Sequence, residues 1–326
     1  MKPKKLKYLI SIVIGVTLFA YVYHTVDFSN VITLFQSAKP NYLVLSLFLF
    51  IPTTILTGYR FQLIIPSDKD VSLWDCIRLF LAACSLNLVL PSKAGDLSKV
   101  FFINQHCNTP KSLGFGLVIF ERAMDLAALL FCGLIGLTFC NTQKQLLLIP
   151  IIASSLLIII LFFLSKKLLS KFIQTILSRF ISDKNLNSFQ ESISELQDQL
   201  LATPYRTAYI ATLSLLVWAM HLMQIWLFCC SIGIQVSPFQ GMGLTSVAIL
   251  VGLLPLTFAG LGTRDAALFF LYKPFASIDQ AATIGLFCSL RYVVMGIAGV
   301  PFFGHYIINY KKNLGEQSKT EVPMTK

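Results

Sequence analysis

The chain of 326 residues is 56% hydrophobic and only 13% charged, about half the charge density of a soluble domain. That excludes a water-soluble globule and identifies an integral membrane protein. Its 26 Lys and Arg against 15 Asp and Glu give a net charge of +11. The excess gathers at the two ends and in one central segment, which marks membrane topology and not a nucleic-acid face. Eight cysteines and four separated histidines show no C-x-x-C spacing, so no metal site, metal cofactor or disulfide framework is expected.

Lys2, Lys4, Lys5 and Lys7 precede an apolar run from Tyr8 to Val26. The run is too long for a signal-peptide core and no small-residue cleavage pattern follows it, so it reads as a retained first helix, about 8–26. A second helix is predicted over 41–61, then helices over 112–139, 145–164, 205–230 and 279–309. The N-terminal lysines, the stretch from Lys166 to Lys184 and the tail from Lys311 are basic and are placed in the cytoplasm by the positive-inside rule. Segment 165–204 begins as a basic amphipathic helix, with Leu168, Leu169, Phe172, Ile173, Ile176 and Leu177 at helical spacing, and reads as lying on the cytoplasmic leaflet.

Parity then leaves two apolar stretches without a crossing. Trp74 to Leu90 begins and ends inside, and Met242 to Tyr272 begins and ends outside, so each reads as a re-entrant hairpin, the alternative being an ordinary pair of spans joined by a short turn. The two look alike: Leu90-Pro91 leads to Ala94-Gly95 and Lys99, and Leu254-Pro255 leads to Ala259-Gly260 and Arg264. Each precedes a long helix with an interior arginine, Arg122 or Arg291. The expected fold is an all-α polytopic membrane protein with roughly six full spans and two re-entrant hairpins in an inverted repeat, both termini cytoplasmic. It forms one domain: first repeat 41–140, linking span 141–164, linker helix 165–204, second repeat 205–310 and a disordered tail 311–326.

Ionisable groups inside apolar helices are costly unless paired or hydrated. At 1.5 Å per residue, helix 112–139 carries Glu121, Arg122 and Asp125 about 14–20 Å into the bilayer. Arg122 can reach Asp125 along its own helix, and Arg291, about 18 Å into the last helix, is the expected partner from the other half. Arg264 and Asp265 open a short helix after Gly260-Leu261-Gly262, whose backbone N–H groups could meet an anion. Lys93, Gly95, Asp96 and Lys99 occupy the corresponding place in the first hairpin. Arg60 fits either a contributor to the cavity or a snorkelling interfacial arginine. His221 reads as a packing residue, and Asp75 and Arg78 as interfacial.

Three strings carry a family resemblance: Leu90-Pro91-Ser92-Lys93-Ala94-Gly95-Asp96-Leu97-Ser98-Lys99, Glu121-Arg122-Ala123-Met124-Asp125, and Pro255 through Gly260-Leu261-Gly262-Thr263-Arg264-Asp265. In that order they resemble the signature blocks of the lysylphosphatidylglycerol synthase transmembrane, or flippase-like, family: LP-x-R-x-G-[ED]-x-x-R, E-R-x-x-D and P-x-x-x-G-G-x-G-x-R-E. Lys93 and Lys99 stand where Arg is usual, Asp96 and Asp265 where Glu is frequent, and Ala259 replaces one Gly.

The resemblance implies a lipid translocator of the bacterial cytoplasmic membrane. Its substrate-binding residues would be Lys93, Gly95, Asp96, Lys99, Glu121, Arg122, Asp125, Gly260, Gly262, Arg264, Asp265 and Arg291. The synthetase domain of full-length relatives is absent, so aminoacyl transfer is not expected, and no G-x-x-x-x-G-K-[ST] offers ATP hydrolysis. The expected partners are membrane lipids, with a glycosyltransferase or a second copy of the chain as further candidates and nucleic acid excluded. Two alternatives remain open: an intramembrane enzyme acting on a lipid-linked sugar, and a non-catalytic partner of a glycosyltransferase.

Overall fold

Prolines and capping side chains set where the helices begin. The computed structural model describes residues 26–66, 69–89, 95–107, 109–140, 203–253 and 262–320, with His24 and Ile151. In α1 (Phe28–Ser37) the Asp27 carboxylate accepts the Ser29 N–H at 2.9 Å. Helices α2 (Pro40–Ile64), α6 (Pro204–Ser231) and α7 (Pro238–Gly252) each open on proline, where the missing N–H has no helical partner to lose. Ser237 and Gln240 form a reciprocal capping box before α7. Ser277 and Gln280 exchange the same pair of bonds at the start of α9 (Ile278–Thr320).

Helices α3 (Leu73–Val89), α4 (Ser98–His106), α5 (Lys111–Thr138) and α8 (Thr263–Tyr272) complete the described set. Among the described residues all regular structure is helical. The expected helices over 41–61, 112–139 and 205–230 match α2, α5 and α6 within a few residues. The last helix continues to Thr320, where a disordered tail from 311 was expected. The predicted helix 8–26, the span 145–164 and nearly all of the linker 165–204 lie outside the described residues.

Pro40–Ile64, Pro204–Ser231 and Ile278–Phe302 are long and apolar enough to cross a membrane. Helix α5, with 28 residues, is about 42 Å long and matches them in length, but it carries three ionisable side chains near its middle. By contrast α3 and α7, with 17 and 15 residues, extend only about 22–26 Å, less than the ~30 Å hydrocarbon core.

One order of elements occurs twice. The lengths 25, 17, 9 and 28 in α2 to α5 are followed by 28, 15, 10 and 43 in α6 to α9. The first members, α2 and α6, run antiparallel. The Lys39 N–H donates to Ser231 O at 2.9 Å at one end, and Arg206 donates to Leu63 O and Ile65 O at 3.0 and 2.7 Å at the other. Each short-hairpin helix then packs on the long last helix of the opposite set, α3 on α9 and α7 on α5.

Both of these crossings depend on glycine. A Cβ on Gly136 of α5 would strike the Gly243 backbone of α7, and one on Gly243 would strike Gly136 and Leu137. On α9, a Cβ at Gly299 would strike Leu81 O, and one at Gly296 would strike the Leu88 side chain of α3. Ser85 Oγ donates to Gly296 O at 2.6 Å in the same seam. Such close approach maximises dispersion contacts where lipid removes the hydrophobic drive between helices.

Each short hairpin folds back to its own start. The Tyr272 hydroxyl, at the end of α8, donates to Gly241 O at 3.2 Å and lies 2.8 Å from Thr245 Oγ1, both in α7. Ile103 and Cys107, at the end of α4, join one apolar cluster with Cys76 and Leu79 near the start of α3.

Gly136→Val and Gly243→Val should each lower stability by about 1–3 kcal/mol through overpacking, read as a lower melting temperature in detergent. Ile119→Val, on the exposed face of α5, should shift it by less than about 0.5 kcal/mol.

Candidate functional site

Helix α5 presents Glu121 and Asp125, four residues apart, on one face. Two buried carboxylates this close require cations, and three converge on them. Arg60 of α2 places Nη2 at 3.1 Å from Glu121 Oε1 and Nη1 at 2.5 Å from Asp125 Oδ1. Lys99 of α4 donates to Glu121 Oε2 at 2.6 Å, with its ammonium 4.8 Å above the Phe61 ring. Arg122 spans Asp125 Oδ2 at 3.1 Å, Glu121 Oε1 at 3.4 Å and Asp96 Oδ2 at 3.7 Å.

Helix α6 closes the network with neutral side chains, one donor and one acceptor. Trp218 Nε1 donates to Asp125 Oδ1 at 3.1 Å, and Arg60 Nη1 donates to Ser214 Oγ at 3.1 Å. Three cations thus meet three carboxylates, and every oxygen of Glu121 and Asp125 is engaged.

Arg60 is a correction to the snorkelling option. Its side chain is only 1% exposed and turns into the bundle, because the paired carboxylates of α5 outweigh the pull of the interface. The pairing along α5 stands as expected, since Arg122 meets Asp125. Arg291 does not, and this too is a correction. Its Nη1 donates to Gln224 Oε1 at 3.0 Å and to His221 O at 3.4 Å, and lies 3.3 Å from His221 Nδ1. Arg60 already fills the position beside Asp125 that Arg291 was expected to take.

In the second hairpin Arg264 is buried and held through Nε and Nη2. Nε and Nη2 hold Asp265 Oδ1 at 3.0 and 2.8 Å, and Nη2 also reaches Gly285 O and Ser289 Oγ of α9 at 3.0 Å each. The anion at this helix start is the chain's own: Asp265 Oδ2 accepts the Gly262 N–H at 3.3 Å. Gly262 has φ +91°, a backbone conformation that only glycine adopts without strain. In the first hairpin the Gly95 N–H donates to Asn87 Oδ1 at 2.9 Å, and a Cβ there would collide with Ala83 O. Lys93 and Gly260 lie outside the described residues.

Lys99 and Arg264 are each the second residue of their short helix, and each bonds the long helix that follows. Arg60 and Gln224 correspond too, each 20 residues on from the proline that opens α2 or α6. The charge is transposed between the two sets. In the first, the cation stands on α2 and the acids on α5; in the second, the amide stands on α6 and the cation on α9.

Arg60, Ser214, Trp218, His221 and Gln224 were not among the predicted site residues. The signal was a polar stripe at helical spacing: Ser214, Trp218, His221 and Gln224 on α6, facing Ser46, Thr53, Thr57 and Arg60 on α2. Most of these side chains are buried. Asp75 and Arg78 form a half-buried pair 3.8 Å apart.

The fold and site define an all-helical, multi-pass membrane protein with ion-paired side chains inside its bundle. The chain belongs to the family described as the lysylphosphatidylglycerol synthase TM region, whose profile matches residues 8–299. It is 23% identical to a UPF0104 membrane protein of Methanocaldococcus jannaschii, over 87% of this chain and 90% of that one. A UPF0104 membrane protein of Methanothermobacter thermautotrophicus is 22% identical over 90% and 95% of the two chains.

Removing Arg60 leaves two buried carboxylates short of a cation. Arg60→Met should therefore destabilise by about 3–5 kcal/mol. Arg122 is 40% exposed, and Glu121 and Asp125 keep other cations without it, so Arg122→Gln should lower stability by about 1 kcal/mol or less. Thermal unfolding of both variants in one detergent checks the ranking.

Proposed function

We propose that this protein moves lipids across the membrane, passing a phosphate-bearing head group along the polar face between its two helix sets while the tails stay in the bilayer. One observation carries the reading. Arg122 stands near the middle of a membrane-length helix, and its side chain is 40% exposed while Glu121 and Lys99 beside it are sealed. A charged side chain left exposed to hydrocarbon at that depth is costly, so the reading places a hydrated path beside it. The 3.7 Å contact to Asp96 is its longest, and that is the bond an incoming phosphate would replace.

The inverted repeat fits the same reading. The equivalent helices α2 and α6 run antiparallel, and the short hairpins start from opposite ends of the bundle. The Asp27 and Asn30 bonds to Asp279 gather one set of ends; the Arg206 bonds to Leu63 and Ile65 gather the other. With basic segments inside, the second group is cytoplasmic, the hairpins are re-entrant, and the termini face the cytoplasm. Lys273→Cys should then be labelled by an impermeant thiol reagent from outside intact cells, and Lys111→Cys only after permeabilisation. The reverse pattern overturns the orientation.

Vesicles with fluorescent phosphatidylglycerol or phosphatidylcholine in both leaflets test transport, with dithionite bleaching the outer leaflet only. Wild-type protein should expose the inner-leaflet probe, and Arg122→Gln should slow this at least about tenfold, a loss of roughly 1.4 kcal/mol in transition-state stabilisation. Equal rates in wild type, variant and empty vesicles overturn the proposal.

A further inference from the structure

Charge in the described interior is balanced everywhere but at one place. Arg60, Lys99 and Arg122 are matched by Asp96, Glu121 and Asp125, and Arg264 by Asp265. Arg291 has no carboxylate within ion-pair distance among the described residues. Its contacts are the Gln224 amide, the His221 carbonyl and ring nitrogen, and the face of Tyr292 at 5.2 Å. Its Nε is buried without a hydrogen-bond partner. Arg60 Nε and Arg122 Nε share that condition, but those guanidiniums are ion-paired.

The orientation of Gln224 is fixed from behind. Its Nε2 donates to Ser46 O of α2 at 3.0 Å, so Oε1 must face Arg291 and His221. That one oxygen has two claimants: Arg291 Nη1 at 3.0 Å and His221 Nδ1 at 3.4 Å. An arginine can only donate, so while it points at His221 Nδ1 that nitrogen carries the lone pair and the imidazole is neutral.

We propose that Arg291, His221 and Gln224 form a proton-coupled oxyanion site, in which binding of a monoanionic phosphodiester at Arg291 and protonation of His221 Nδ1 promote one another. With the site empty, a proton on His221 would face the Arg291 guanidinium at 3.3 Å and be repelled. An oxyanion on Arg291 draws the guanidinium away from Gln224 and neutralises the nearby charge. Gln224 Oε1 then accepts the new Nδ1–H. One negative charge and one proton enter together, and no other bond changes.

The remaining groups facing His221 fit this exchange. Trp218 on the same helix packs edge-on at 5.7 Å and donates to Asp125 of α5. Asp125 is in turn neutralised by Arg60 of α2 and by Arg122. Arg291 of α9 is thus the nearest uncompensated charge, and an anion bound to it changes the charge that His221 faces.

The identity of the anion rests on the translocation reading, but the linkage is measurable without transport. Calorimetric titration of the detergent-solubilised protein, in two buffers of different ionisation enthalpy, counts protons taken up per ligand bound. Dihexanoylphosphatidylglycerol serves as the lipid ligand and dimethyl phosphate, a permanent monoanion, as the free one. Wild type should take up close to one proton per anion. Its affinity should fall as pH rises, by up to about tenfold per pH unit while one proton is taken up per anion.

His221→Gln should bind with no proton uptake and a flat pH profile, and Arg291→Gln should lose binding while keeping its melting temperature. Binding of the lipid alone assigns the site to head groups; binding of both shows that the oxyanion suffices. The proposal is overturned if neither ligand binds, if wild type binds without proton uptake at every pH from about 5 to 8.5, or if His221→Gln takes up protons as wild type does. Lipids that bind with proton uptake here yet fail to cross vesicles would instead overturn translocation.

Discussion

A carboxylate pair on one face of a membrane helix cannot stand alone, and the rest of the bundle answers that constraint. Glu121 and Asp125 lie where the surroundings solvate charge poorly, so each unpaired acid would cost several kcal/mol. Arg60 and Lys99 come from two other helices to meet them, which fixes α2 and α4 against α5. Trp218 and Ser214 then tie α6 to the same oxygen and the same guanidinium. The interaction that permits charge inside the membrane therefore also sets how four helices sit.

Glycine makes this arrangement possible. The seams between α5 and α7 and between α3 and α9 bring backbones into contact, which holds the short hairpins deep against the long helices. Lys99 and Arg264, each at the start of a short helix, are thereby placed within reach of the following long helix. A larger residue in either seam would move a cation away from the site it serves.

The two sets of helices share a plan but differ in electrostatics. Where the first has an arginine on α2 facing acids on α5, the second has Gln224 on α6 facing Arg291 on α9. The first is neutral; the second retains one positive charge. Trp218 and His221 connect them, so the chain of contacts from Lys99 to Arg291 is continuous.

Composition and hydropathy by themselves determined the membrane class, the positions of α2, α5 and α6 and most of the charged residues. These are local properties: a bilayer demands about 20 apolar residues per crossing, and any charge within such a run stands out. The partners of those charges were decided only by tertiary structure. Arg60 could pass for an interfacial residue because its place near a helix end is visible in the sequence, while the carboxylates it meets are more than 60 positions away. Arg291 and Asp125 looked complementary because opposite charges at similar depth attract, but depth does not say which face of a helix looks where. Packing of α6 between α2 and α5 brings Gln224 and His221 to Arg291 and leaves it the one interior cation, among the described residues, without an acid.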